Sequence, residues 1–212
     1  EHDPLDEAGL RLLGCTPQGT AVWVNRVVAE ADLTIGVGGC GPSLYGFQGG
    51  GGIILPGVAG ADTIRHNHAK IMTTRLMPGW GPGNPMREDV LDAADLARLA
   101  LKIDFTAANT VVAGAPRAEW PVAVGQVQER FMVTLPEPPD IYVLAVDGDR
   151  AKRLAGGLYM GIELASQAVR PGGIVIAVCA AGADEPITGR PLPVILDELI
   201  EVTRNWCRDY ED

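Results

Sequence analysis

Positive charge is scarce in this sequence: 17 Lys and Arg stand against 27 Asp and Glu, for a net charge of -10 and a pI near 4.7. Nucleic-acid phosphates call for clustered Lys and Arg, so no nucleic-acid partner is expected. No basic amphipathic stretch suggests a membrane surface, and no uninterrupted apolar run of about 20 residues could span a bilayer. No charged n-region and apolar h-region open the chain, and the cytoplasm is the expected compartment. Cysteine is sparse and unpatterned: Cys15, Cys40, Cys179 and Cys207 show no CxxC or Cys/His ligand spacing, and read as small buried thiols. No Walker lysine spacing is present, so no P-loop motif indicates nucleotide phosphates. Histidine is limited to His2, His66 and His68.

Two of those three histidines fall just after the densest glycine run. Gly46-Phe47-Gln48 leads into Gly49-Gly50-Gly51-Gly52, then Ile53-Ile54-Leu55, the turn Pro56-Gly57, and Thr63-Ile64-Arg65-His66-Asn67-His68. Consecutive glycines permit positive φ and close approach of a ligand or another backbone. Two readings stay open: a cradle whose N–H groups hold a phosphate or carboxylate, or a tight loop packed against a helix. On a helix, His66 and His68 point to different sides, so only one can face a site comfortably. Tyr45, His66 and Lys70 are the candidate catalytic groups; Gln48 and the four glycines are the candidate cofactor contacts. Cys40 lies just before the loop. Trp80, Trp120 and Trp206 read as packing anchors.

The block from Val24 to His68 resembles the nickel-dependent lactate racemase family. Val24-Asn25, Ala31-Asp32, Gly46-Phe47, Gly49-Gly50, Leu55-Pro56-Gly57, Thr63-Ile64 and Asn67-His68 fall in register with its pattern. Downstream, Gly83-Asn84-Pro85 with Glu88-Asp89, and Ala168-Val169-Arg170-Pro171-Gly172-Gly173, also match. The resemblance implies a nickel pincer nucleotide tethered to a lysine, with histidines serving as nickel ligand, acid and base. It places the metal-ligand position at His68, the tethering lysine at Gly52 and a catalytic histidine at Pro42. A substrate-handling lysine falls near Met160, and the other catalytic histidine belongs upstream of Glu1. The family pattern is entered in mid-course at Glu1-His2-Asp3. The resemblance therefore implies a partner, in a homo- or hetero-oligomer, that supplies the missing segments, or a cofactor that is not tethered.

At 212 residues, 47% hydrophobic and 21% charged, the chain has room for one large or two small domains. The expected fold is α/β, two lobes with mainly parallel sheets and a cleft between them. The first lobe, with the glycine loop, covers 1–135; the second covers 140–212, beyond a proline hinge at 136–139. Val22 to Ala29 reads as an extended entry into a short helix, and Leu33 to Val37 as a buried strand. A helix capped by Asp62 or Thr63 follows. Met77 to Pro85 is expected to be a loop, Arg87 to Leu101 an amphipathic helix and Phe105 to Val112 a strand. In the second lobe, strand Ile141 to Val146, helix Arg150 to Val169 and strand Ile174 to Val178 suit a parallel β-α-β unit, followed by Cys179 and Asp184 at the strand edge and a helix over Leu192 to Trp206. The expected function is racemase or epimerase chemistry on a small 2-hydroxy acid, a carboxylate substrate. The alternative is a non-catalytic accessory subunit or pseudoenzyme that keeps the fold and cleft.

Overall fold

The structure is a computed structural model that describes residues 1–70, 79–146, 160–179, 186–187 and 190–191. Asp184, Trp206, Cys207, the helix expected over Leu192 to Trp206 and the first part of that expected from Arg150 lie outside these residues. The chain divides into two compact units, Glu1–Thr134 and Leu135–Asp212.

The first unit opens with an antiparallel hairpin, β1 (Leu10–Cys15) and β2 (Ala21–Asn25). Its turn closes through Thr16, whose N–H donates to the Thr20 carbonyl at 2.9 Å. Asn25 ends β2 and caps the short helix α1 (Arg26–Ala29), its Oδ1 accepting from the Val27 N–H at 3.0 Å. The central sheet has the order β3 (Thr34–Cys40), β6 (Leu99–Thr106), β7 (Val111–Gly114), with a small pair, β4 (Pro42–Ser43) and β5 (Gly46–Phe47), beside it. β3 runs parallel to β6, whereas β7 turns back antiparallel to it. The sheets are therefore mixed, not mainly parallel. Two of the reversals have a local cause: short turns at residues 16–20 and 107–110 join neighbouring strands, and only a crossover connection can make neighbours parallel.

Among the described residues the unit also holds three longer helices, α2 (Ala61–Ala69), α3 (Pro85–Leu96) and α4 (Pro116–Phe131). Asn84 caps α3 by accepting from the N–H groups of Met86 and Arg87, and Pro85 occupies the first turn. α3 stops at Leu96 because Arg98 takes a φ of 53°, and the chain leaves as β6. The apolar periodicity predicted to run to Leu101 thus crosses a helix end into a strand. The predicted strand from Phe105 to Val112 likewise straddles a turn, where Asn109 has a φ of 63°.

The core has two parts. Val22, Val24, Ile54, Leu55, Val90 and Leu99 pack the hairpin against α3, while Phe47, Leu91, Trp120, Val124 and Val127 pack α4 against the loop. β3 is covered on one face only. Ile35, Val37, Phe105 and Val111 are more than half exposed on the other; the strand predicted at Leu33 to Val37 is present, but its apolar residues Leu33, Ile35 and Val37 are exposed rather than buried.

In the second unit, β8 (Ile141–Val146) pairs in parallel with β9 (Ile174–Cys179), and α5 (Met160–Ala168) lies between them in sequence. A two-residue pair, β10 (Pro186–Ile187) and β11 (Arg190–Pro191), follows. Among the described residues, no helix is long and apolar enough to cross a membrane.

Candidate functional site

The four glycines sit where β5 passes into a turn of 3-10 helix over Gly50–Ile53, between the sheet, α3 and α4. Gly49 and Gly50 have φ of 95° and 55°, a region that side chains rarely adopt. A Cβ at Gly49 would lie 2.6 Å from Asp104 Oδ2, one at Gly50 2.9 Å from Trp120 Cβ, and one at Gly51 2.5 Å from the Val90 carbonyl oxygen. Gly52 differs. Its Cβ would meet only the Arg87 guanidinium, 3.7 Å from Nη2 and 3.9 Å from Nη1.

The loop's N–H groups are largely committed inside the protein. Gly50 donates to Asp104 Oδ2 at 2.8 Å, Gly52 to the Gly49 carbonyl at 3.1 Å, and Gln48 to the Gly41 carbonyl at 2.8 Å. Gly49 to Gly51 pack closely against Asp104, Trp120 and Val90, and the Gly50 amide is donated inside the protein. Gln48 keeps its side chain exposed while its carbonyl accepts from Trp120 Nε1 at 3.0 Å.

Beneath the loop lies a buried polar cluster that sequence reasoning missed. Lys102 and Asp104 form an ion pair through Nζ and Oδ1, both side chains being essentially inaccessible. Glu119 from α4 is buried beside Asp104. Burial, reinforced by the hydrogen bond and charge of Asp104, raises the Glu119 pKa to about 8, so its carboxyl is largely protonated near neutral pH. Burial pushes the Cys40 thiol up to about 12, so Cys40 is neutral and unreactive. Arg87 donates from Nη2 to the Gly49 carbonyl at 2.6 Å and lies 5.3 Å from the Trp120 ring centroid. A signal for the cluster was available: in Leu101-Lys102-Ile103-Asp104-Phe105-Thr106 the polar residues alternate at strand period, yet it is the polar face that is buried.

The candidate catalytic and metal residues separate. His68 is partly buried, its ring 4.6 Å from Tyr45 in an edge-on arrangement. Burial holds its pKa below the ordinary histidine value; the nearby Arg87 charge adds to this and the Ile64 backbone opposes it. Its Nδ1 is buried and makes no well-formed hydrogen bond. His66 is exposed, consistent with two histidines two apart on a helix. Lys70 donates to Thr20 Oγ1 at 2.7 Å and pairs with Asp89 Oδ2 at 3.0 Å, so it ties α2 to the hairpin and α3. Asn67 and Thr63 are likewise structural: Asn67 Nδ2 donates to Asp89 Oδ2 at 2.7 Å, and Thr63 Oγ1 donates to the Ala21 carbonyl at 2.7 Å. Neither Asp62 nor Thr63 caps α2; Gly60 holds that position, and the Thr63 hydroxyl is occupied by β2. Pro42 is an exposed strand residue. No group of three His, Cys, Asp or Glu side chains converges as a metal site among the described residues.

Comparisons with known proteins point in one direction. The family pattern described as the lactate racemase N-terminal domain matches residues 1–78. A lactate racemase of Thermoanaerobacterium thermosaccharolyticum is 28% identical over 190 residues, covering 85% of this chain and 45% of that protein. A lactate racemase of Lactiplantibacillus plantarum is 34% identical over 106 residues, covering 49% of this chain and 25% of that protein. In three dimensions the chain is similar to the lactate racemase apoprotein of T. thermosaccharolyticum, with a TM-score of 0.70 and 26% identity, covering 83% of this chain and 44% of that one. The chain spans less than half the length of these relatives.

Proposed function

Because this chain belongs to the lactate racemase family, we propose that it takes part in racemase or epimerase chemistry on a small 2-hydroxy acid, together with a partner chain or an untethered cofactor. The observation that carries this reading is the similarity to a lactate racemase across 85% of the chain; position 52 is where the chain departs from the family pattern. There the loop leaves room for a side chain, next to Arg87, but the residue is glycine. The shape of an attachment point is kept without the amine that would make the bond.

The residues present do not fit a lysine-tethered nickel nucleotide held by this chain alone. Gly52 has no side chain, and the two described lysines, Lys70 and Lys102, are each paired with a buried aspartate. A nickel site needs more than one imidazole, and His66 is exposed and away from His68. The Arg87 charge near His68 further opposes a cation there. What the chain offers is one imidazole held neutral at physiological pH, able to accept a proton or a metal once another chain completes the site. Inverting a 2-hydroxy acid centre requires proton transfer at the hydroxyl and hydrogen transfer at C2, and one imidazole cannot serve both faces.

A second reading is a non-catalytic subunit that keeps the fold. The exposed proline at 42 and the glycine at 52, both at positions where the family pattern has reactive side chains, favour it. One experiment separates the two: metal analysis and intact masses of the native, copurified assembly, followed by a chiral assay on lactate and longer 2-hydroxy acids. Stoichiometric nickel with racemisation supports the first reading. Absence of metal, adduct and turnover in every copurified chain leaves the second.

A further inference from the structure

Arg87 carries a charge that nothing around it neutralises. The residue is 5% exposed. Its Nη2 is satisfied by the Gly49 carbonyl, but its Nε is buried without a partner. The buried or half-buried lysines of the unit are each matched: Lys102 by Asp104, Lys70 by Asp89. Among the described residues, no carboxylate forms an ion pair with Arg87. Asp104, the nearest acid acting on it, is already held by Lys102 and by the Gly50 N–H. Burial lowers the Arg87 pKa to about 10, still well above neutrality. Lys102 and Asp104 are paired with each other, and burial beside Asp104 favours the protonated form of Glu119, so neither acid is committed to Arg87.

A buried guanidinium without a counter-ion costs several kcal/mol, and folded proteins almost always pair such groups. The Arg87 guanidinium lies beside Gly52. That residue is only partly buried, its φ admits any side chain, and both terminal guanidinium nitrogens face the space its missing Cβ would fill. We propose that this gap, floored by Arg87, binds a small oxyanion, a carboxylate or phosphate group that supplies the missing charge. The planar fork of a guanidinium suits two oxygens of either group. The site stands whether or not the chain catalyses a racemisation, because it rests on the burial of Arg87, its lack of an ion-pair partner and its position beside Gly52.

The test is the melting midpoint of the full chain against increasing inorganic phosphate or lactate, with chloride at matched ionic strength as control. A saturable rise above the chloride curve is expected with one or both anions. In Arg87→Met the apparent affinity should weaken by about tenfold or more, as for loss of a charge-assisted hydrogen bond. Since that variant also loses contacts to Gly49 and Trp120, Gly52→Glu is the second arm. It keeps Arg87 and places a carboxylate in the gap, so it should melt higher than the parent and stop responding to added anions. Lactate alone saturating assigns the site to a carboxylate, phosphate alone to a phosphate group, and both to any small oxyanion. No anion-specific rise in the parent chain, or an equal rise in Gly52→Glu, overturns the proposal.

Discussion

Alanine at Gly49 or Gly50 is expected to cost about 1–3 kcal/mol, because the new Cβ meets Asp104 or Trp120 at a φ that disfavours it. Alanine at Gly52 should be neutral or stabilise by about 0.5 kcal/mol, since it removes chain entropy from the unfolded state without a clash. Denaturant midpoints of the single variants check both. The sequence displays four identical letters, so which of them is open was not legible; that depends on Asp104, Trp120 and Val90, which come from three other elements. Glu119 yields a pH prediction. Its pKa rises from an ordinary 4.5 to about 8 on folding, so the folded state holds a proton that the unfolded chain has released. That stabilisation is fully present below about pH 4.5 and is lost as pH climbs to about 8. Glu119→Gln should flatten this part of the stability–pH curve, as measured by urea unfolding across the range.

Asp89 organises three elements at once. It accepts hydrogen bonds from Thr16 at 2.5 Å, Thr20 at 2.8 Å and Asn67 at 2.7 Å, besides its pairing with Lys70. Burial favours the protonated acid, but these donors outweigh it and hold the carboxyl below its ordinary value. The stability it adds is present above that ordinary value and disappears as pH falls through the depressed one. Asp89→Ala should cost about 3 kcal/mol or more, the scale for removing one member of a buried charge network. Much of this level was readable: β2 running into α1 and the parallel β8–β9 pair each carry a local signal, whereas Asn84-Pro85, expected in a loop, starts α3. α4 was not readable, because Pro121 sits inside it and interrupts the pattern that marks a helix. Asn67 and Asp89, matched in sequence only as positions in the family's register, hold the helices together.

At the scale of the molecule, one face of the central sheet is apolar and open, with Ile35, Val37, Phe105 and Val111 more than half exposed. Clusters of this kind bind hydrophobic dyes, whereas scattered surface residues do not. Val37→Thr combined with Phe105→Thr should lower dye fluorescence while changing the melting midpoint little, since neither side chain is packed. Family membership was legible here because it rests on a long register of motifs; which chemistry survives was not, because that depends on space and charge around single positions. The described lysines show why. Lys70 and Lys102 both spend their amines on buried aspartates, and the cation left beside Gly52 is a guanidinium, which stays protonated and is no nucleophile. An activated acyl or thioacyl group arriving there would find attraction but no attachment. For a ligand bound at the site proposed beside Gly52, occupancy would then be a matter of residence time, set by the concentration outside.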